Sequence, residues 1–254
     1  LGRITNVRGA FFADYSADPR GALSWRFVRD LAGSGVLGDL MGHLIDLTHY
    51  VVGPVQEVTA ATSTVYSERP ELPMGSGTHF AIVENGDMKP VENEDYASMI
   101  VRYAQPDSSD SGSPVIGTLE ASRVANGPRA SYGVEVYGTE GSFRWDFERM
   151  NELQLALNTA PHVGYTTVMA GAEFGDFSVF QPGAGTPMGY DDLKTIEAKK
   201  FLLAFLGQDS QHADIKDGLT ANRVVSAAEK SAESGSWQKV DQVSNTSAQG
   251  KGGK

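Results

Sequence analysis

The 254-residue chain has no cysteine, which excludes disulfide bonds, thiolate metal sites and cysteine nucleophiles. This absence fits a reducing compartment, and we expect a cytoplasmic protein. Basic residues are also scarce: 21 Lys and Arg stand against 32 Asp and Glu, giving a net charge of −11. We therefore expect neither nucleic acid nor a membrane surface as a partner. No apolar run approaches the roughly 20 residues of a membrane span, and we identify no signal peptide.

Helices and strands are segregated along the chain. A strand at 4–13 precedes a helix at 36–52, a series of strands fills residues 55–158, and two helices follow at about 191–206 and 217–234. Because strands do not alternate with helices, this order favours an α+β fold. The predicted fold class is an open, largely antiparallel sheet with flanking helices and no Rossmann domain.

Residues 33–38, Gly-Ser-Gly-Val-Leu-Gly, match the pattern G-x-G-x-x-G of dinucleotide-binding turns. In such turns the glycines follow a strand and open a helix, and an acidic residue closes the next strand about 20 residues on. Here "WRFVRDLA" precedes the glycines with three charges and no alternating pattern, and Glu57 does not end a strand. The favoured interpretation is a flexible loop that leads into a helix.

The helix after this loop carries a narrow polar strip. Asp39, His43, Asp46 and Tyr50 recur at helical spacing, and residues 31–56 contain no Lys, Arg or Glu. A solvent-facing side would carry several such residues, so the strip is expected to face a cleft or another protein surface. A carboxylate one turn from an imidazole can orient it, which suits general acid/base catalysis. The spacing leaves open a purely structural patch and a metal site, although a third ligand set is not evident.

Several segments together resemble the C-terminal domain of the Gfo/Idh/MocA oxidoreductases, which include inositol dehydrogenases. The most specific is G-D-x-x-x-H-x-x-D, which begins at Gly38. The others are "SWRF", "VEVYGTEGSFRWDFERMNELQL", "GYDDLKTIEAKKFLLAF" and "DIKDGLTANRVVSAAEKSAESGSW". The resemblance implies a substrate-binding and oligomerisation domain at 1–240. Residues 241–254 are expected to form a disordered tail.

The resemblance also implies an activity. His43 matches the family's acid/base histidine, and Asp39 matches the aspartate that orients the histidine or binds substrate. The implied reaction moves hydride between NAD or NADP and a sugar, inositol, anhydrosugar or other polyol. The chain begins at Leu1 and has no E-K-P motif, so the cofactor is expected to be bound mainly by a domain absent from this chain, which would then be inactive alone.

Further residues are assigned on weaker grounds. Trp25, Arg26, Asp46, Arg123 and Tyr132 are predicted to contact substrate, and no metal ligand is assigned. A homo-oligomer, dimer or tetramer, is predicted through the open sheet face, because strand 96–104 alternates without a purely polar side. Two alternatives stay open: a non-catalytic interaction protein that kept this domain, and a metal-dependent lyase or isomerase.

Overall fold

The structure is a computed structural model. It describes residues 1–72, 81–104, 113–159, 163–183, 185–208 and 211–241. The sequence-based predictions for His79, for His162 and for nearly all of the 241–254 tail lie outside these residues.

Eleven strands and four helices form the described part of the chain. The strands are β1 (Ile4–Phe12), β2 (Val55–Ser63), β3 (Glu68–Pro70), β4 (Met88–Pro90), β5 (Tyr96–Tyr103), β6 (Val115–Ser122), β7 (Ser131–Gly138), β8 (Gly141–Asp146), β9 (Glu152–Leu157), β10 (Thr166–Met169) and β11 (Gln238–Lys239). The helices are α1 (Arg29–Ala32), α2 (Gly42–Val51), α3 (Tyr190–Phe205) and α4 (Ile215–Ser234). A π-helical turn, Leu37–Met41, runs directly into α2.

Nine strands form one sheet in the order β10-β9-β8-β7-β1-β6-β5-β2-β11, and β3 pairs with β4 beside it. Strand β1 lies at the centre, antiparallel to β7 and parallel to β6. A parallel neighbour requires a crossover, and the connection from β1 to β6 runs through α2, β2 and β5. The sheet is therefore mixed, with one parallel and seven antiparallel pairings, and the predicted fold class is corrected in that it named no parallel pair. The parallel pair was not predicted because the connection between its strands passes through other strands, so strands and helices do not alternate along the sequence.

One face of the sheet is covered by helices. Val7 of β1, Val101 of β5 and Leu119 of β6 are buried beneath Leu44 and Ile45 of α2. Helix α4 packs on β2 and on α2. Strand β9, by contrast, is only half-buried along most of its length. The helices thus cover the half of the sheet that contains β2, and α2 reaches only as far as β7.

The last two helices differ in how they are anchored. Helix α4 is capped at its start by Asp214, whose side chain accepts hydrogen bonds from the N–H groups of Lys216 and Asp217, and at its end by Gly235, which has a φ of 63°. Helix α3 buries Ile196, whereas Phe205 is 80% exposed. None of the described helices has the length and hydropathy that a membrane crossing needs.

Candidate active site

Asp39 lies in the π-helical turn that precedes α2. Leu37, Leu40 and Met41 of this turn are buried in the core, which leaves Asp39 partly exposed at the surface. Its Oδ2 accepts a 2.6 Å hydrogen bond from the hydroxyl of Tyr15 and lies 3.6 Å from Nε of Arg26. π-Turns within helices occur often at functional sites. Here the turn presents a carboxylate that two other segments hold in place.

Tyr15 is a site residue that the sequence analysis missed. It follows β1 in an irregular stretch, where no periodic pattern singles it out. Burial, and then the charge of Asp39, raise the pKa of Tyr15 well above its usual value. Its hydroxyl therefore remains protonated and serves as a hydrogen-bond donor to the carboxylate.

Arg26 connects this carboxylate with an exposed aromatic ring. Its guanidinium carbon lies 4.5 Å from the ring centroid of Trp25, which is 53% exposed. The structure therefore brings two of the predicted substrate contacts, Trp25 and Arg26, to the edge of the Asp39 site. A flat exposed ring and a cation beside a carboxylate can bind a polyhydroxylated molecule.

His43 is exposed on α2, one turn after Asp39. Its ring centroid lies 6.2 Å from that of Phe11, and its main-chain oxygen accepts a 3.0 Å hydrogen bond from the hydroxyl of Tyr132. Within the described ranges no hydrogen bond joins Asp39 to His43. The predicted direct orientation of the imidazole by Asp39 is thus not formed, because Tyr15 and Arg26 hold that carboxylate instead.

The rest of the polar strip lies at the surface. Asp46 and Tyr50 are exposed, Tyr50 by 79%. Partial burial raises the pKa of Asp46, the charge of Asp217 on α4 raises it further, and His43 opposes both. Asp46 and His43 therefore interact electrostatically, as their spacing predicts.

Tyr132, another predicted substrate contact, is half-buried on β7 at a ring-centroid distance of 4.8 Å from Phe11. Burial raises its pKa, with a further contribution from Asp46. Beyond it lie Trp145 and Phe147, which the sequence analysis did not select. The sequence feature that could have identified them is the i, i+2 spacing of two aromatic residues at the end of a strand, which favours placing both rings on one side.

Arg123 occupies a different environment from the one predicted. Its side chain is 1% exposed and its Nε donates a 2.8 Å hydrogen bond to Oδ1 of Asp95, which is fully buried. Its remaining nitrogens lie 3.4 Å from the main-chain oxygens of Arg26 and Asn93, and its guanidinium stacks on Phe27. This placement corrects the assignment of Arg123 as a substrate contact, because a side chain enclosed in this way supports the segment that carries Arg26.

The glycine loop at 33–38 is filled by the chain's own carboxylate. Oε1 of the buried Glu94 accepts hydrogen bonds of 2.8 and 2.9 Å from the N–H groups of Gly35 and Leu37. A Cβ at Gly35 would collide with the main-chain oxygen of Glu94. These N–H groups are the ones that a pyrophosphate would need, so the loop does not fit a dinucleotide.

Metal binding was one of the open alternatives. In the part of the chain that the structure describes, no three His, Asp or Glu side chains converge in a way that could hold an ion. Asp39, His43 and Asp46 share one helix face, and Asp39 is already bonded to a phenol and close to a guanidinium. Among the described residues Asp39 is therefore engaged with these two side chains rather than with other potential metal ligands.

The class of protein to which this chain belongs is shown by its match to a family model. The model of the GFO/IDH/MocA C-terminal domain matches residues 1–144, more than half of the chain. The chain belongs to the Gfo/Idh/MocA family of oxidoreductases.

Among individual proteins, the chain is similar to levoglucosan dehydrogenase in both sequence and structure. The chain is 35% identical over 248 residues to levoglucosan dehydrogenase from Pseudarthrobacter phenanthrenivorans, covering 96% of this chain and 61% of that enzyme. Levoglucosan dehydrogenase in complex with NADH aligns with a TM-score of 0.84 at 34% identity, covering 96% of this chain and 60% of the other. The complex with NADH and levoglucosan aligns with a TM-score of 0.82 at 33% identity and the same coverage.

These alignments correct the second part of the fold-class prediction, a chain without a Rossmann domain. They run through 96% of this chain, and the levoglucosan dehydrogenase structure to which it aligns contains NADH. The alignments also do not support two further expectations, that the cofactor domain is missing and that the chain is inactive alone. The chain spans about 60% of the length of these relatives.

Proposed function

We propose that this protein takes part in the NAD- or NADP-dependent oxidation of a hydroxyl group on a sugar or related polyol. The observation that carries the proposal is the exposed His43 one helical turn from an Asp39 that Tyr15 and Arg26 hold in place. The similarity to levoglucosan dehydrogenase over nearly the whole chain supports the same chemistry.

In this proposal His43 accepts the proton of the substrate hydroxyl as the adjacent carbon is oxidised. Its exposed imidazole can reach a bound hydroxyl without rearrangement of α2. Asp39 adds a negative charge near the imidazole and, with Arg26, offers an acceptor and a donor to neighbouring hydroxyls. The nicotinamide cofactor supplies the hydride acceptor when bound.

The proposed acid/base role is tested with His43→Ala and Asp39→Asn in a spectrophotometric assay of nicotinamide reduction over a panel of sugars and polyols. We expect turnover of His43→Ala to fall by roughly 10²- to 10⁴-fold, with a much smaller change in substrate affinity. Tyr50→Phe is the matched control, because it alters the same helix strip at an exposed position. Near-normal turnover of His43→Ala would contradict the role of His43, and a wild-type protein that oxidises none of the panel would favour the non-catalytic interaction protein.

We also propose that residues 1–240 act as one substrate-binding unit that forms homo-oligomers through the uncovered sheet face. On this face Ile100 of β5 is 42% exposed and Ile116 of β6 is 38% exposed, next to the ion pair of Arg102 with Glu57. Exposed apolar side chains among paired charges suit a contact between identical surfaces. Light scattering should report a dimer or larger, and Ile100→Asp should reduce the mass; a monomeric wild type would refute this proposal.

A further inference from the structure

We propose that residues 92–95, Glu-Asn-Glu-Asp, set the position of Arg26 relative to Asp39, with Asn93 as the positioning residue. We name these four residues the clamp. The clamp directly precedes β5 and is hydrogen-bonded to both segments that carry this pair. This inference rests on the proposed function, because it concerns the two side chains that are proposed to meet the substrate hydroxyls.

Glu92 and Asn93 hold the segment that carries Arg26. The side-chain amide of Asn93 donates a 3.0 Å hydrogen bond to the main-chain oxygen of Arg26. The main-chain N–H of Glu92 donates to the oxygen of Phe27 at 2.9 Å, and the Glu92 carboxylate accepts from the N–H of Arg29 at 2.7 Å. This segment is therefore bound to the clamp at three points.

Glu94 holds the helix start that carries Asp39. Its Oε1 accepts hydrogen bonds of 2.8 and 2.9 Å from the N–H groups of Gly35 and Leu37, and its main-chain oxygen accepts one of 3.0 Å from Val36. Asp39 follows within the same π-helical turn as Leu37. Adjacent residues of the clamp thus bind the two segments that carry the site.

The clamp is itself anchored in the interior of the fold. Asn93, Glu94 and Asp95 are all buried. Oδ1 of Asp95 accepts a 2.8 Å hydrogen bond from Nε of Arg123, whose side chain is also buried. Because buried, hydrogen-bonded polar groups make a segment rigid, the clamp provides a fixed support for the two segments.

The pair that the clamp supports lies near the surface. Nε of Arg26 lies 3.6 Å from Oδ2 of Asp39, and the guanidinium of Arg26 also stacks on the exposed ring of Trp25. Both charged side chains are partly exposed, and such an ion pair contributes little stability of its own. The geometry of the pair therefore depends on the main chain beneath it, where the bond from Asn93 acts at Arg26 itself.

Three substitutions test the role of the clamp. Asn93→Leu keeps the branching of the side chain and removes the bond to Arg26; among the described residues Oδ1 of Asn93 has no hydrogen-bond partner to lose. Glu92→Ala loosens the same segment from an exposed position, so it should fold even if Asn93→Leu does not. Thr64→Val is the matched control, because it removes a 3.3 Å hydrogen bond to the main-chain oxygen of Asn93 and leaves the bond to Arg26 in place.

A double-mutant cycle shows whether Asn93 acts through Arg26. In the wild-type background Asn93→Leu should raise the KM for the best substrate of the sugar and polyol panel by about 3- to 10-fold, with a smaller change in kcat. In an Arg26→Met background the same substitution should change KM by less than about twofold, because the side chain that it positions is absent. An equal effect in both backgrounds would overturn the proposal, since Asn93 would then only support the fold.

A measurement without substrate separates this inference from the proposed function. In the full chain labelled with fluorotryptophan, the fluorine NMR resonance of Trp25 is assigned by its loss in Trp25→Phe and reports the Arg26 side chain that stacks on the ring. Asn93→Leu and Glu92→Ala should shift or broaden this resonance and leave those of the other two tryptophans unchanged, and the control should change none. If no sugar is oxidised but the Trp25 resonance responds in this way, the clamp stands and the proposed function fails. An unmoved Trp25 resonance in the variants that fold would refute the clamp, whether or not a sugar is oxidised.

Discussion

The hydroxyl of Tyr15 lies 2.6 Å from Oδ2 of Asp39, and this bond joins the irregular segment after β1 to the π-helical turn before α2. The two residues are 24 positions apart, so the contact depends on the tertiary fold. Because the phenol is held in its protonated form, it donates to the carboxylate across the neutral pH range. The orientation of Asp39 is therefore set by a neutral donor on one side and by Arg26 on the other.

Tyr15→Phe should lower the proposed turnover by about tenfold while the chain stays folded. A hydrogen bond to a charged group contributes about 1.5–3 kcal/mol, and a loss near the lower end corresponds to about one decade in rate. Steady-state kinetics with the best substrate of the panel measure the effect. Tyr50→Phe, which removes an exposed hydroxyl, serves as the control; equal kinetics for both variants would show that the Tyr15 bond does not act on the reaction.

Arg123→Met should destabilise the fold by about 3–5 kcal/mol, because it leaves the buried carboxylate of Asp95 without its partner. Urea unfolding followed by circular dichroism measures the change. Arg129→Met is the comparison, since its ion pair with Asp14 has an arginine side chain that is 82% exposed and should matter by less than about 1 kcal/mol. If the two variants lose the same stability, the Arg123–Asp95 pair is not a structural support.

Gly35→Ala should destabilise the protein by about 1–3 kcal/mol or prevent folding, because the added methyl group collides with the main chain of Glu94. Gly42→Ala is the opposite case. Gly42 lies at the start of α2 with open space where a Cβ would be, so alanine should stabilise by about 0.5–1 kcal/mol. Thermal unfolding of both variants tests the pair, and a tolerated alanine at 35 would show that the loop can move away from Glu94.

His49 gives the fold an acid-sensitive element. Burial lowers the pKa of His49 to about 4, and its Nε2 accepts a hydrogen bond from the N–H of Val55. The unfolded chain, with an ordinary pKa near 6.5, binds this proton more readily than the folded chain. The contribution of His49 to the free energy of unfolding is therefore constant above pH 6.5. The stability of the fold decreases as the pH drops from about 6.5 to about 4.

His49→Gln keeps an acceptor for Val55 and removes the titration. The free energy of unfolding of this variant should fall less steeply than that of the wild type between pH 6.5 and pH 4. Urea midpoints measured at intervals across this range provide the comparison. Parallel curves for the two proteins would mean that His49 is protonated as easily in the folded chain as in the unfolded one.

The individual elements and the polar strip were predictable because they depend on local patterns. The helix around His43, the strand at β5 and the β7–β8 hairpin all carry clear periodicity, and the structure confirms them. Their arrangement was not predictable in the same way: the parallel pairing of β1 with β6 joins residues more than 100 positions apart and has no local signature. Strands β10 and β11 were missed because each is short and sits at an edge of the sheet.

The candidate site likewise combines residues that a local pattern predicts with residues that only the tertiary fold brings together. Asp39 and His43 share one helix, so their spacing alone places them together. Tyr15 contacts Asp39, and Asp95 contacts Arg123, from distant segments of the chain, and sequence order gives no sign of either contact. Arg123 was misassigned for this reason: an arginine on a strand is equally compatible with a substrate contact and with a buried ion pair until its partner is known.

The Glu94 carboxylate in the glycine loop gives this helix start an internal counterion. The positive end of a helix attracts anions, and here the chain provides one from 59 residues away that is covalently tethered and cannot dissociate. The glycine loop, whose sequence resembles a phosphate-binding turn, instead links the start of the helix to the segment that contains Glu94. The start of the helix that carries Asp39 and His43 is thereby fixed to the segment that contains Glu94.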